Sequence, residues 1–240
     1  MTCWFASDLH LDPATPEIAA RFLRFLAGPV RGARSLYLLG DLFEAWVGDD
    51  DPEPAHCEVI AALAALAGSG TLVYVMRGNR DFLIGERFCR ESGALLLDDP
   101  VIVTIAGTRA LLSHGDGLCV EDGAYQRLRA LVRDEGVRRG FARLPLASRR
   151  RLANEARAGS REHLTTAPEY ITDVSQPAVE ALMRSAGVSL MIHGHTHRPG
   201  VHRFRSDGAD CTRIVLGDWH ATSKVLQWDD AGWRLEPCPG

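Results

Sequence analysis

The fold is decided by a stretch near the start of the chain, CWFASDLH at residues 3–10, in which a short apolar run ends on an aspartate and a histidine. Four later stretches repeat this pattern of an apolar run followed at once by polar residues. They are SLYLLGD at 35–41, LVYVMRGNRD at 72–81, ALLSHGD at 110–116 and SLMIHGHTH at 189–197. Such runs have the length and the β-branched or aromatic content of buried strands. Because helical patterns lie between several of them, the sequence predicts an α/β fold with polar loops at the strand ends.

Apolar periodicity places the individual elements. Apolar residues three and four positions apart predict helices at 16–26, 55–67, 84–92 and 176–186. Strands are predicted at 2–6, 35–39, 71–76, 101–105, 109–113, 189–192 and 212–216, with shorter ones at 224–228 and 233–235. We expect a single domain over residues 1–240, which is an ordinary length for one core.

Composition and charge exclude several classes of protein. The formal net charge is −4, which argues against a nucleic-acid binder, because contact with the phosphate backbone needs a basic surface. The six cysteines show no CxxC spacing, so neither a zinc knuckle nor a disulfide framework is expected, and a reducing cytoplasm fits. No signal peptide is apparent, and no apolar run approaches the roughly 18 residues that span a bilayer. No protein partner is predicted.

One stretch differs from the rest in its charge. Residues 127–161 contain 11 arginines and only three acidic residues. The pattern predicts two or three helices broken near Pro145, inserted between a strand that ends at Ser113 and one that begins near Ser189. The insertion covers about residues 120–170, and charge alone is equally consistent with a solvated helical excursion.

The polar residues at the strand ends form an inventory of metal ligands. By itself an Asp-x-His, Gly-Asp or Gly-Asn motif is more typical of a turn than of a metal site, and a His-x-His pair is as often structural as a pair of ligands. Together they offer two carboxylates, one amide oxygen and four imidazoles, with no thiolate. That donor set suits Mn²⁺, Fe²⁺ or Zn²⁺. Seven ligands exceed the needs of one tetrahedral ion, so we expect two ions that share a carboxylate and activate a water.

The ordered series Asp-x-His, Gly-Asp, Gly-Asn-x-Asp, His and Gly-His-x-His resembles the calcineurin-like metallophosphoesterase superfamily, over roughly Cys3 to His220. The resemblance implies a four-layer αββα sandwich of two mixed sheets with an inserted helical cap. It also implies that Asp41 bridges the two ions. The implied ligands of one ion are Asp8, His10, Asp41 and His197, and those of the other are Asp41, Asn79, His114 and His195.

A closer resemblance is to the UDP-2,3-diacylglucosamine pyrophosphohydrolases of lipid A biosynthesis. It is carried by SDLHL at 7–11, LGDLFEAW at 39–46, GDDD at 48–51, GNRDFL at 78–83, IHGHTHRP at 192–199 and LGDWH at 216–220. Arg80 stands where many members of the superfamily have histidine, and its guanidinium could clamp a phosphate. The family's helical cap cradles two acyl chains. Where this family usually has Asn and Lys, the chain has Leu164 and Ala167, which leaves the head-group contacts open.

The resemblance implies roles for individual residues. The residues expected to act on the reacting phosphate are Asp41, Asn79, Arg80 and His114. Those expected to contact substrate are Asn79, Arg80, Asp122, Tyr125, Arg157, Ser160 and His195. His193 is expected to support the ligand loop rather than bind metal, and Asp49, Asp50 and Asp51 to form a solvated acidic turn.

The expected reaction is hydrolysis of UDP-2,3-diacylglucosamine by attack of a metal-bridging hydroxide on the α-phosphorus. The products would be UMP and 2,3-diacylglucosamine 1-phosphate, with two Mn²⁺ as cofactors. One alternative is a metallophosphoesterase of a soluble nucleotide, either a dinucleoside polyphosphate or a cyclic nucleotide. Another is a non-catalytic interaction module that has lost its metals, which would predict gaps in the ligand set.

The Arg-rich insertion also predicts contact with a membrane surface. Phe141, Leu144 and Leu146 lie among basic residues that include Arg149, Arg150 and Arg151. Basic residues near an anionic bilayer each contribute about 1 kcal/mol. We therefore expect the protein to be peripheral on the cytoplasmic face of the bacterial inner membrane, where its lipid-linked UDP-sugar substrate would lie.

Overall fold

The computed structural model describes residues 2–51, 53–166, 168, 171–221 and 223–238, with the backbone alone for 161–166. Over these residues the chain folds into eleven strands and seven α-helices. The strands are β1 Cys3–Ala6, β2 Ser35–Leu39, β3 Leu72–Met76, β4 Leu95–Leu97, β5 Val101–Ile105, β6 Thr108–Ser113, β7 Leu190–His193, β8 Gly200–Ser206, β9 Ala209–Val215, β10 Lys224–Asp229 and β11 Gly232–Pro237. The helices are α1 Pro16–Ala27, α2 Pro54–Gly68, α3 Glu86–Ser92, α4 Gly123–Arg133, α5 Glu135–Ala142, α6 Leu146–Thr166 and α7 Gln176–Ala186.

The strands form two mixed sheets. The first has the order β11-β10-β1-β2-β3-β4. In it β1 to β4 are parallel to one another, β10 is antiparallel to β1, and β11 is antiparallel to β10. The second has the order β5-β6-β7-β9-β8, in which β6, β7 and β9 are parallel and the two outer strands are antiparallel. In both sheets, therefore, the parallel strands end at a common edge, where their loops meet.

The layering follows from the alternation of side chains along each strand. On β1, Phe5 faces the second sheet and stacks on Tyr37, which stacks on Tyr74, with ring centroids 4.7 Å apart in both pairs. Trp4 and Ala6 point the other way, into a core formed with α1, α2 and α3. On the far side of the second sheet, α7 buries Val179 and Met183. This is the αββα sandwich of two mixed sheets that the family resemblance implies.

Most predicted elements have boundaries within two residues of the observed ones, but two strands were not predicted. β4 has only three residues, which is too short for a periodic pattern. β8 carries mostly exposed polar and basic side chains, and its pairing with β9 defines it as a strand. β9 also begins three residues earlier than predicted, because its partner extends the hairpin.

Between β6 and β7 the chain forms the helical insertion, α4 to α6. Asp122 and Asp134 begin α4 and α5 by accepting hydrogen bonds from backbone N–H groups three residues later, at 2.9 Å in both cases. The break before α6 contains Pro145, as the sequence predicts. Among the described residues, no helix is long and apolar enough to cross a membrane.

Candidate metal centre

The five polar motifs meet at one edge of the two sheets. Backbone hydrogen bonds join the loops directly: the Asp8 N–H donates to the Gly40 carbonyl at 3.1 Å, and the Gly194 N–H donates to the His114 carbonyl at 2.9 Å. The side chains of these loops form two groups whose candidate ligand atoms all lie within 4.8 Å of one another. The groups are Asp8, His10 and His197, and Asp41, His114 and His195.

In the first group, three atoms of the kinds that ligate metals face one another. The His10 Nδ1 donates to the Glu44 carboxylate at 2.8 Å, so in the neutral ring Nε2 carries a lone pair. That Nε2 lies 3.2 Å from the His197 Nε2. The Asp8 Oδ1 is buried without a hydrogen-bond partner and lies 3.5 Å from the same His197 nitrogen. Such a cluster of carboxylate and imidazole atoms fits a divalent cation.

The second group has the same chemistry. The His114 Nδ1 lies 2.9 Å from the Leu39 carbonyl, an obligate acceptor, so Nδ1 donates and Nε2 is the acceptor in the neutral ring. This Nε2 faces the Asn79 Oδ1 at 3.0 Å. Asn79 therefore completes a second set of ligand atoms for a cation.

Asp41 lies between the two groups. Its Oδ2 is 3.7 Å from the His10 Nε2 and 3.7 Å from the His114 Nε2. Its Oδ1 accepts the backbone N–H of Arg80 at 2.8 Å, which holds the carboxylate in this orientation. The carboxylate is placed to serve both groups at once.

The backbone is strained where the candidate ligands lie. Among the described residues, eight non-glycine residues have positive φ, and five of them are predicted ligands. These five are Asp8, His10, Asp41, His195 and His197, with φ between 49° and 70°. A left-handed conformation costs a non-glycine residue of order 1–3 kcal/mol and is concentrated at functional sites.

Two motif glycines leave room for the neighbouring ligand. A Cβ at Gly78 would lie 2.1 Å from the Asp41 Oδ1, and a Cβ at Gly194 would lie 2.3 Å from the Asp8 Oδ2. Any side chain at either position would displace the carboxylate beside it.

The electrostatics of the site favour added positive charge. Burial opposes ionisation of His114, yet the carboxylates of Asp41, Asp116 and Asp8 raise the pKa of His114 to about 9. Burial and the adjacent His114 lower the pKa of His195 to about 4, so His195 is neutral and can act as a ligand. Without a metal ion, a proton on His114 offsets part of the negative charge.

Several supporting residues were not identified from the sequence. Glu44 orients His10 through the hydrogen bond above. The buried Asp81 carboxylate accepts the N–H of Gly78 and that of Leu42, both at 2.7 Å, and so joins the two ligand loops. Both residues lie inside the quoted motifs, but only the folded loops reveal their partners.

The expected substrate residues are placed around this centre. The Arg80 guanidinium reaches across to the Ser160 hydroxyl on α6, with Nη2 and Oγ 3.3 Å apart. Arg157, one turn earlier on α6, lies 3.4 Å from Asp12 and 3.9 Å from Glu44. The structure therefore brings α6 of the insertion against the metal centre.

Helix α4 approaches from the other side. The Tyr125 ring stacks near His195 with centroids 5.9 Å apart, and its hydroxyl donates to the buried Asp116 at 2.9 Å. Arg133 forms an ion pair with the same carboxylate at 3.2 Å. Asp122 acts as the N-cap of α4.

The predicted acidic turn at residues 49–51 is present and Asp50 is exposed, but the three carboxylates have partners within the protein and are not merely solvated. Asp49 accepts the N–H groups of Gly85, Arg87 and Phe88 and so caps α3, whose N-terminus would otherwise lack hydrogen bonds. The carboxylates of Asp50 and Asp51 bind arginines of α6, as described next.

Two of the arginines assigned to a membrane surface are engaged within the protein. Arg149 is 2% exposed and donates to Asp50 at 2.7 Å and to the Val47 carbonyl at 2.6 Å. Arg150 forms an ion pair with Asp51. These residues attach the insertion to the core, so Arg149 in particular cannot face a lipid surface.

His193 has a partner for each ring nitrogen. Nδ1 donates to the Gly194 carbonyl at 2.8 Å, and Nε2 accepts from Arg213 at 3.1 Å. It supports the ligand loop, as the sequence suggests. Of the two positions at which the chain departs from the family pattern, the Leu164 side chain and the whole of Ala167 lie outside the described residues.

Known proteins resemble this chain in sequence and fold. A profile of the calcineurin-like phosphoesterase family matches residues 1–199. A UDP-2,3-diacylglucosamine hydrolase from Stenotrophomonas maltophilia is 48% identical, and one from Aeromonas hydrophila is 45% identical, each covering 98% of both chains. Among solved structures, a novel archaeal phosphodiesterase superposes with a TM-score of 0.50 at 15% identity, covering 98% of this chain and 99% of that one. The last similarity concerns the fold alone.

Proposed function

Because the chain belongs to the calcineurin-like phosphoesterases and, within them, to the family of UDP-2,3-diacylglucosamine hydrolases, we propose that it hydrolyses the pyrophosphate of UDP-2,3-diacylglucosamine. The products are UMP and 2,3-diacylglucosamine 1-phosphate, in a step of lipid A biosynthesis. The observation that carries the proposal is the convergence of two groups of ligand atoms on Asp41, in a chain that matches these relatives over nearly its whole length.

Seven residues hold two divalent ions in this proposal. Asp41 is shared; Asp8, His10 and His197 complete one set, and Asn79, His114 and His195 complete the other. Nitrogen and oxygen donors without a thiolate suit Mn²⁺, which we propose as the metal. When bound, a pair of such ions offsets the charge of the phosphate and lowers the pKa of a water.

Arg80 is proposed to bind the phosphate under attack. Its guanidinium lies between the Asp41 loop and α6, and its buried Nε has no hydrogen-bond partner. A guanidinium can donate two parallel hydrogen bonds to phosphate oxygens. The backbone N–H of Arg80 also donates to Asp41. One residue therefore orients the shared carboxylate through its backbone and is proposed to bind the phosphate through its side chain.

The helical insertion is proposed to be a cap, within a single domain, that holds the lipid half of the substrate. It carries exposed apolar side chains, among them Leu128 at 50% and Leu131 at 55%. Tyr125, Arg157 and Ser160 line its approach to the metal centre and, with Asp122 and His195, are the proposed substrate contacts. A soluble nucleotide would need no such apolar surface, which favours the lipid substrate.

The exposed leucines of α4 also support a peripheral position on the cytoplasmic face of the inner membrane. Arg127 and Arg143 are exposed on the same insertion and can attract anionic lipid. Arg149 has no part in this contact.

An assay of the purified protein loaded with Mn²⁺ tests the activity. Release of UMP from UDP-2,3-diacylglucosamine, but not from dinucleoside polyphosphates or cyclic nucleotides, is expected. Turnover of a soluble nucleotide in preference to the lipid would contradict the proposal.

A further inference from the structure

A cavity of about 220 Å³ lies beside the metal centre, between the loop after β1, the segment that joins β2 to α2, and helix α6. Leu11 and Asp12 line it and directly follow His10. Arg157 also lines it, and lies 3.9 Å from Glu44, the carboxylate that holds His10. A ligand in this cavity would therefore adjoin a phosphate bound at the metal centre.

The lining of the cavity selects against two kinds of ligand. Three carboxylates line it, those of Asp12, Asp51 and Glu53, and the guanidinium groups of Arg150 and Arg157, which also line it, form ion pairs with Asp51 and Asp12. The lining thus has one more carboxylate than guanidinium groups, which does not favour a phosphate, and burying these charged groups against an acyl chain would cost several kcal/mol. The ligand that fits is neutral and polar, with hydrogen-bond donors for the carboxylates.

His56 is a second, independent observation that points to a polar ligand in this cavity. It is 6% exposed, it lines the cavity, and its Nδ1 has no hydrogen-bond partner. Its ring packs against Phe43 and Trp46, with centroids 4.4 and 5.4 Å away, so it cannot easily turn to find one. Burial lowers the pKa of His56, which keeps the ring neutral. A buried polar atom left without a partner costs about 1–3 kcal/mol, which a ligand would recover.

We propose that this cavity binds the nucleoside half of the substrate, with the His56 imidazole hydrogen-bonded to the pyrimidine base or its ribose. This assignment rests on the proposed function. A uracil ring is flat and offers one N–H donor and two carbonyl acceptors, and the ribose hydroxyls donate well to carboxylates. The amide of Asn154 and the guanidinium of Arg157 supply donors for the carbonyls.

Two variants test the site. His56→Phe keeps the ring that packs on Phe43 and removes both nitrogens, and Asn154→Ala removes an exposed amide with little risk to folding. His202→Phe, on the exposed edge strand β8, is the matched control. Binding of UMP to each Mn²⁺-loaded protein is measured by calorimetry, and inhibition by UMP and by 2,3-diacylglucosamine 1-phosphate is measured in the assay.

We expect each cavity variant to weaken UMP binding about tenfold, the equivalent of one hydrogen bond. KM for the substrate should rise with little change in kcat, and inhibition by the lipid product should stay as in the wild type. The control should match the wild type in every measurement.

Unchanged UMP affinity in both cavity variants, with normal circular dichroism and metal content, would overturn the assignment. So would a loss of affinity for the lipid product instead of UMP, since that would place the sugar in the cavity. A wild-type protein that binds UMP through His56 but does not cleave the lipid would refute the proposed function and leave the nucleotide site standing.

Discussion

The Asp8 carboxylate and the ring nitrogens of His10 and His197 illustrate how single residues define the metal centre. The three side chains bring a buried carboxylate oxygen and two imidazole nitrogens within a few ångströms of one another, and the Asp8 Oδ1 has no hydrogen-bond partner. Such an arrangement is unfavourable unless positive charge enters it, and it is built on residues whose backbones are themselves strained. In the absence of a cation this arrangement does not stabilise the fold. Substitutions of the candidate ligands should therefore affect activity far more than stability.

Asp41→Ala should abolish turnover, because both groups lose the carboxylate that they share. The fold should remain, since the other candidate ligands are held by separate strand ends. Activity is measured at saturating Mn²⁺, together with metal content by elemental analysis and the melting temperature. A near-normal rate would contradict the two-metal assignment.

Arg80→Ala should lower the rate by on the order of 10²–10³, which is typical for the loss of one donor to a developing negative charge. Its metal content should match the wild type, because the residue is assigned to phosphate. If elemental analysis found one metal missing in this variant, the assignment of Arg80 would be wrong.

Glu44→Gln should weaken binding of one of the two metals. The carboxylate orients His10 and makes its ring more basic, and loss of such a partner costs about 10–100-fold in metal affinity. Titration with Mn²⁺ should show one weakened site and one unchanged site. The exposed Glu58→Gln on α2 is the control, and equal weakening in both variants would exclude the orienting role.

At the scale of secondary-structure elements, the helical insertion is attached to the core by a few charged contacts. Arg149 and Arg150 of α6 bind the 47–51 segment, and Arg133 of α4 binds Asp116 next to the metal centre. Many residues of the three helices are exposed, so little apolar burial holds them in place. The insertion should therefore open more easily than the sandwich.

Arg149→Ala should loosen the insertion. The side chain donates to the Val47 and Leu144 carbonyls as well as to Asp50, and each hydrogen bond from a charged group is worth about 1.5–3 kcal/mol. Hydrogen exchange should rise in α5 and α6 while the two sheets stay protected. Arg151→Ala is the control, because this exposed residue should change stability by no more than about 0.5 kcal/mol. Equal exchange in both variants would show that Arg149 does not anchor the insertion.

At the scale of the whole molecule, charge and apolar surface are distributed unevenly. The net charge is −4, yet the insertion is rich in arginine and bears several exposed leucines. That combination suits an anionic lipid surface, where basic residues give attraction at a distance and leucines give contact. It also places any membrane contact on the side that holds the proposed substrate groove.

Binding to vesicles that contain anionic lipid should therefore be detectable at low salt and fall as salt is added. Replacing Leu128 and Leu131 together by serine should weaken it by about 100-fold or more, since each buried leucine contributes about 1.5–3 kcal/mol and about 1.4 kcal/mol corresponds to a factor of ten. The matched control replaces Leu72 and Leu95, exposed leucines of β3 and β4, by serine. If the wild-type protein does not bind such vesicles, the membrane contact is refuted, and only substrate binding remains as a proposed role of the insertion.

The sequence by itself determined the α/β layering and the set of candidate ligands. Buried parallel strands appear in the sequence as continuous apolar runs, and a polar residue follows the end of each run. Asp8, Asp41 and His114 could therefore be placed at strand ends, where ligands commonly bind. Elements defined by long-range pairing could not be predicted, because β4 and β8 are strands only through the hydrogen bonds that a neighbouring strand supplies.

Tertiary structure alone decided the partners of charged and polar side chains. Nothing in the sequence pattern indicated the contacts of Glu44, Asp49, Arg149 or His56. Their roles depend on carbonyls, N–H groups and rings that lie far away along the chain, as in the pairing of Arg149 with Val47. Periodicity reports which face of an element is buried, because burial repeats with the helix or strand. It carries no information about which buried acceptor a given donor will reach, since that distance is set only when the layers pack.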